Sequence, residues 1–182
     1  MPDHEKELFL IGLKSTRKEH DQYMERNKDE INTWKEAVGS LLHQMLEWLM
    51  PMRELSLLKV SCACDMIISE GFGEEYRLPR LKILLPKDKI ITVKPYVLDL
   101  DYEIKRRILV IEGICLAFAP RKPDAVTTLA TIDWSIADGF VLYDRGVPNS
   151  IAIPFTEALF FDHLNWGRLN CKQTSIGCRE VI

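Results

Sequence analysis

Apolar side chains recur every three or four residues in the second quarter of the chain, which is the spacing of one stripe along an α-helix. The stripe consists of Ile31, Trp34, Val38, Leu41, Met45 and Trp48, and it is widened by Leu42, Leu46 and Leu49. Asn27 followed by Glu30 is typical of a helix cap, and Pro51 is expected to stop the far end. The pattern predicts a helix from about Lys28 to Met50.

A stripe this wide is usually buried against the protein's own sheet and only sometimes against another chain, so a homodimer through the Ile31–Trp48 helix is the second interpretation. Upstream, an apolar run from Leu8 to Leu13 starts a helix that becomes polar from Lys14 to Glu30. The register of the stripe can be traced back through this region, but it puts Asn27 and other polar side chains at seam positions. We therefore expect two N-terminal helices that meet near Asn27 and pack on the sheet.

Beyond Pro51 the apolar positions alternate, which predicts strands. The predicted strands are Leu58–Ile68, Leu81–Leu85, Ile90–Val97, Arg106–Ile111, Ile114–Ala119, Thr128–Ile136 and Phe140–Tyr143. A helix over Arg53–Ser69 is the alternative for the first of them. Glu112-Gly113 has the two-residue length of a tight hairpin turn, and Pro95 indicates a strand that reaches a sheet edge. Short turns between consecutive strands predict an antiparallel meander of about six to eight strands.

A second helix is predicted after the sheet. Thr156 can cap its first turn, Phe155 and Phe160 have the spacing of a hydrophobic staple, and Gly167 ends it. The chain is thus expected to be one α+β domain over residues 1–182. It has a helical part at 4–50, a sheet at 56–153, a closing helix at 156–167 and a tail at 170–182.

The composition fits an ordinary globular protein, since 47% of the 182 residues are hydrophobic and 28% are charged. The charged start does not resemble a signal peptide, and no apolar stretch is long enough for a membrane span, so a cytoplasmic protein without a membrane partner is expected. Five scattered cysteines are interpreted as reduced and buried: Cys62, Cys64, Cys115, Cys171 and Cys178. Their spacing is not that of a zinc site, and we expect no metal or cofactor.

Enzymatic motifs are weak. His163 with Cys115 or Cys171, supported by Asp133, is the one triad that can be imagined, and a helix-face histidine with a local hydrogen bond explains His163 more simply. Acids are interspersed among the bases between Glu74 and Arg107, six against nine, and the sequence pI is about 5.8, so a nucleic-acid partner is not expected.

The main functional clue is an acidic segment with a single base, Arg145. Its six acids are Asp124, Asp133, Asp138, Asp144, Glu157 and Asp162. Turns and a helix start favour such residues for local reasons, so solubility is one explanation. The other is a negative surface that attracts a basic protein partner, such as a toxin or nuclease, with Tyr143 as an aromatic anchor.

These observations together favour a non-enzymatic cytosolic binding protein. An acidic immunity or antitoxin-like inhibitor that occludes a basic toxic enzyme has this profile. The alternatives are a small hydrolase or transferase with a site that matches no motif, and a structural or adaptor subunit.

Overall fold

The computed structural model describes residues 2–69, 75–86, 89–101, 104–115, 126–143 and 152–165. Within these described residues, one long helix comes first and seven strands follow; in chain order the elements are α1 (Pro2–Glu54), β1 (Lys59–Ser69), β2 (Glu75–Leu85), β3 (Lys89–Asp101), β4 (Ile104–Cys115), β5 (Val126–Ser135), β6 (Gly139–Leu142) and β7 (Ile153–Pro154). A short helix, α2, occupies residues 157–165. The protein therefore has the predicted α+β character.

The strands form one sheet in the order β1-β2-β3-β4-β5-β6-β7, with every neighbouring pair antiparallel. Consecutive strands in the described part of the chain are thus neighbours in the sheet, which confirms the predicted meander. The tail at 170–182 and the 116–119 part of a predicted strand lie outside the described residues.

The prediction of two N-terminal helices is wrong, because α1 runs without a break through Asn27. Asn27 does not cap a helix. Its Nδ2 donates a hydrogen bond to the Tyr23 carbonyl oxygen at 2.8 Å, one turn earlier, and the side chain is half-buried. The polar seam residue is therefore satisfied by the helix's own backbone, and it does not interrupt the helix.

Pro51 does not stop α1 either, since the helix continues to Glu54. The Leu57 amide donates to the Met52 carbonyl and the Ser56 amide to the Arg53 carbonyl, both at 2.9 Å, and Ser56 has a φ of 56°. This pair of bonds around a left-handed residue is a Schellman motif. The sequence did not indicate this helix end, because the left-handed position is occupied by serine and not by the usual glycine.

The predicted apolar stripe is confirmed as the core face of α1. Trp34, Val38, Met45 and Leu49 are fully buried, and the ring centroid of Trp34 lies 5.3 Å from that of Trp134 in β5. We call the sheet face that contacts α1 the inner face and the opposite one the outer face. Buried side chains from α1, the inner face and α2 form one hydrophobic cluster. Because the stripe belongs to this cluster, a dimer through it would require α1 to leave the core.

Glu112-Gly113 is not a hairpin turn, as β4 runs through both residues. The β4–β5 register shifts between Ile111 and Glu112, which marks a bulge. A Cβ added to Gly113 would meet the Leu129 side chain at 3.5 Å. Gly113 therefore lies at an irregular and closely packed position of β4.

Pro95 lies in β3, which has a neighbour on each side, so the predicted sheet edge is wrong for the strand as a whole. The described β2–β3 ladder nevertheless ends at the pair Leu81↔Val93, two positions before Pro79 and Pro95 would face each other. Neither proline has an amide hydrogen to donate, so this ladder cannot continue normally. Beyond this point β2 pairs with β1, and β3 pairs with β4.

Candidate functional site

Four of the six acids of the predicted partner-binding segment lie in the described structure. Asp124 and Asp144 lie outside it. The other four divide into one residue on the outer face of the sheet, Asp133, and three on the β5–β6 turn and α2.

Asp133 is largely buried, with 14% of its side chain exposed, and it pairs with Arg106 of β4. Arg106 donates from Nε to Oδ1 and from Nη2 to Oδ2, the latter at 2.6 Å. This hydrogen bonding raises the pKa of Arg106, against the smaller effect of its burial. The charge of Asp133 is therefore compensated by a base that is distant in sequence.

Asp138 is exposed in the turn between β5 and β6. Its amide donates to Ser135 Oγ at 3.0 Å, and the hydroxyl donates to Asp138 Oδ2 at 3.0 Å. Gly139 follows with a φ of 68°, which a residue with a side chain rarely adopts. The predicted turn at this site is confirmed, and it holds the carboxylate at the surface.

Glu157 and Asp162 are exposed on α2. The Leu159 amide donates to Thr156 Oγ1 at 3.4 Å, and the rings of Phe155 and Phe160 lie 6.4 Å apart, so the predicted cap and staple are both confirmed. This local geometry fixes the start of α2 and directs Glu157 into its first turn, where the helix dipole favours a negative charge.

The β5–β6 turn and α2 are joined at one sheet edge. The Phe155 amide donates to the Phe140 carbonyl at 2.9 Å, and Asp138 and Glu157 each lie two residues from this bond. We call Asp138, Glu157 and Asp162 the acidic edge. Residues 126–143 and 152–165 contain no Lys or Arg, and in the described part of the chain these three carboxylates form no ion pair with a base.

His163 does not compensate the acidic edge at neutral pH. It is half-buried on α2, and this burial lowers its pKa, although the neighbouring Asp162 carboxylate acts in the opposite direction. A neutral imidazole is therefore the dominant form at pH 7, and the local negative charge is retained.

Tyr143, the predicted aromatic anchor, is 44% exposed. It is close enough to Arg106 to affect the pKa of that guanidinium electrostatically, which associates it with the Arg106–Asp133 pair. Trp134 is buried in the core, and Phe161 is half-buried and packs against the core cluster.

The imagined catalytic triad receives no support from the described geometry. Asp133 lies on the outer face in its ion pair, whereas α2, which carries His163, packs on the inner side through Phe160 and Trp48 at 5.6 Å. The side chain of Cys115 lies outside the described structure, and so does Cys171. Cys62 is exposed, so the prediction that the cysteines are buried is wrong at that position.

An open groove of about 550 Å³ lies between α1 and the start of β2. Charges of both signs line it: Asp21, Glu25, Lys28, Lys35 and Glu75, beside the aromatic ring of Tyr76. Lys35 Nζ lies 5.5 Å from that ring centroid. The described residues contain no group of three or more His, Cys, Asp or Glu side chains that could hold a metal ion.

One exposed feature was not expected from the sequence. Leu8, Phe9, Leu10, Ile11 and Leu13 lie on the first turns of α1 and are between 46% and 66% exposed. The apolar run was visible in the sequence, but it was interpreted as the start of a packed helix. The spacing of one apolar run does not show whether the sheet reaches far enough along α1 to cover it.

The described helices contain no segment that is both long and apolar enough to cross a membrane. Comparison of the chain with protein-family models, curated protein sequences and solved structures found no match.

Proposed function

We propose that the protein is a non-enzymatic cytosolic binding protein whose acidic edge docks on a basic protein partner. The observation that carries the proposal is the set of three exposed carboxylates on the β5–β6 turn and α2, elements that contain no Lys or Arg. An immunity or antitoxin-like inhibitor of a basic toxic enzyme is the specific form that we favour.

The physical basis is electrostatic. Exposed like charges without local compensation produce a field that accelerates the encounter with a partner of opposite charge and sets its orientation. Carboxylates on a rigid turn and a capped helix can also occupy positions where a basic enzyme binds the phosphates of its substrate. Asp133 takes no part in this field, because Arg106 neutralises it.

The test uses the protein encoded by the neighbouring open reading frame, since inhibitors of toxins are usually encoded beside them. Association rates would be measured for the wild type and for Asp138→Asn/Glu157→Gln/Asp162→Asn at low and high salt. We expect the triple variant to associate roughly tenfold more slowly at low salt, with the difference shrinking as salt is added.

A matched control is Asp29→Asn/Glu36→Gln/Glu54→Gln, which removes three exposed acids from α1 and so changes the net charge equally. It should associate close to the wild-type rate. Unchanged association of the acidic-edge variant, or equal loss in the two triple variants, would contradict a role for this particular surface.

A further inference from the structure

The N-terminal part of α1 projects from the body of the protein. We call residues 4–19 the arm, because their side chains are exposed, with Thr16 alone half-buried. At a rise of 1.5 Å per residue the arm is about 24 Å long. It ends at His20, which is half-buried, and one turn further Lys105 Nζ of β4 lies 5.6 Å from the ring centroid of Tyr23.

The middle of the arm is apolar on every side. Four consecutive residues, Leu8 to Ile11, point around the full circumference, and Leu13 extends one face. A helix with an apolar surface all round is normally covered, and the described body of the chain leaves this one open. We propose that the arm pairs antiparallel with the same arm of a second copy, so that the protein is a homodimer.

The distribution of charge selects a second copy in this orientation. Residues 4–7 contain Glu5, Lys6 and Glu7, a net charge of −1 with histidine neutral, and residues 14–19 contain Lys14, Arg17, Lys18 and Glu19, a net charge of +2. An antiparallel pair sets the acidic end of each arm beside the basic end of the other. A parallel pair would place the three bases of one copy next to the same three bases of the other.

The heptad register gives one specific contact. The register of the buried α1 stripe, continued into the arm, puts Leu10 and Leu13 in the middle of the seam and Lys6 and Arg17 at its ends. It places Glu7 and Lys14 together on one flank. Flanks of the same type face each other across an antiparallel pair. Glu7 of one copy therefore lies opposite Lys14 of the other, and the two-fold axis repeats the contact.

The dimensions of the arm fit this arrangement. Its midpoint lies between Leu10 and Leu13, which is also the centre of the seam contact. Residue 4 of one copy then lies opposite residue 19 of the other, so the arms overlap over their full length before either body is reached. In this register Leu10 and Leu13 form the seam and Phe9 lies on one flank, while Leu8 and Ile11 lie on the far side of the arm. Three side chains that each offer roughly 100 Å² give about 600 Å² for the pair, the size of a weak interface, so the dimer is expected to form in the micromolar range.

Sedimentation velocity across the micromolar range tests the proposal. The wild type is expected to dimerise, and Leu10→Asp is expected to weaken the dimer by roughly 100-fold or more, because it places two carboxylates in the apolar seam. Thermal unfolding and circular dichroism of the dilute variant should match the wild-type monomer, since Leu10 lies outside the core cluster. This separates loss of pairing from loss of folding.

Charge reversal tests the orientation. Glu7→Lys and Lys14→Glu should each weaken dimerisation by roughly 5- to 30-fold, since each disrupts two exposed ion pairs. The double variant Glu7→Lys/Lys14→Glu should return close to the wild-type affinity, because both pairs are rebuilt with reversed sign. Glu36→Lys, an exposed change on α1 beyond the arm, is the matched control and should have no effect.

A wild type that stays monomeric at every concentration overturns the proposal, and so does a dimer that survives Leu10→Asp. A monomer that binds phospholipid vesicles through the arm assigns the surface to a membrane and also overturns it. Failure of the charge-reversed double variant to recover overturns the antiparallel orientation. None of these results depends on the acidic edge, whose test is a different set of variants.

Discussion

Arg107 places a positive charge in the core, because its guanidinium is almost completely buried on the inner face, with 2% of the side chain exposed. It donates from Nη1 to Glu30 Oε1 of α1, while the Glu30 side chain remains 38% exposed. A buried charge is tolerated only when it is paired and hydrogen-bonded. The contact therefore links α1 to β4 as well as balancing a charge.

We expect Glu30→Gln to destabilise the protein by about 1–2 kcal/mol, because the buried guanidinium loses its compensating charge, although the exposure of Glu30 moderates the cost. Urea unfolding of the purified variant measures this change. Asp29→Asn is the matched control, since Asp29 is an exposed acid on the preceding residue and should change stability by less than about 0.5 kcal/mol. Equal losses in the two variants would show that Arg107 is balanced by other groups.

Residue-scale predictions from sequence succeeded where the partners are close in the chain. The Thr156 cap and the Phe155–Phe160 staple depend on contacts within five residues, and both are present. The compensation of Asp133 could not be predicted, because Arg106 is 27 residues away and meets it only through the β4–β5 pairing. Counting charges along a segment therefore overestimated the number of unpaired acids.

At the scale of elements, α1 contains residues that usually interrupt or end a helix. Asn27 and Pro51 both favour an interruption in sequence, yet the 53-residue helix contains them. Asn27 satisfies its own amide on the helix backbone, and Pro51 stands in the last turn, where one lost hydrogen bond costs little beside the burial of Met45 and Leu49. Packing outweighed the proline signal at the C-terminal end of the helix, and the Asn27 side chain left the backbone unbroken where two helices were predicted to meet.

Two glycines with opposite backbone requirements provide an element-scale prediction. Gly39 is exposed within α1, and an added Cβ would meet nothing within 4 Å, whereas Gly139 has a φ of 68° in the β5–β6 turn. Gly39→Ala should stabilise the protein by about 0.5–1 kcal/mol, because alanine loses less entropy in a helix. Gly139→Ala should destabilise it by about 1–2 kcal/mol, because alanine resists a positive φ.

Thermal or urea unfolding of the two glycine variants measures both effects, with each serving as the control for the other. The same sign of change in both variants would contradict the assignment of Gly39 to a helix interior or of Gly139 to a left-handed turn. The sequence located the Gly139 turn correctly because an Asp-Gly pair between alternating strands is a strong local signal. It failed at Glu112-Gly113 because a bulge uses the same residue type.

At the scale of the whole molecule, α1 joins parts of the sheet that do not pair with each other. The β2–β3 ladder ends before Pro79 and Pro95, so the far ends of the β1–β2 and β3–β4 hairpins separate. Lys35 of α1 lies over Tyr76 of β2, while Glu30 holds Arg107 of β4. The meander was predictable from short turns, but this division was not, because the two prolines meet only in the folded register.

The buried part of α1 is therefore stabilised by contacts with the sheet, whereas the arm is stabilised only by its own backbone hydrogen bonds. This difference predicts a gradient of stability along α1. We expect native-state hydrogen exchange of the Leu10→Asp variant, in which arm pairing is removed, to show rapid exchange over residues 4–19. A helix of this length without tertiary contacts is marginal in water. Residues 34–49, whose apolar side chains are buried in the core cluster, should exchange close to the rate of global unfolding. Uniform protection along α1 would contradict the gradient and would mean that the arm has contacts with the body.

In the wild type, protection of the arm should rise with protein concentration while that of residues 34–49 stays constant, because only the arm gains contacts when a second copy binds.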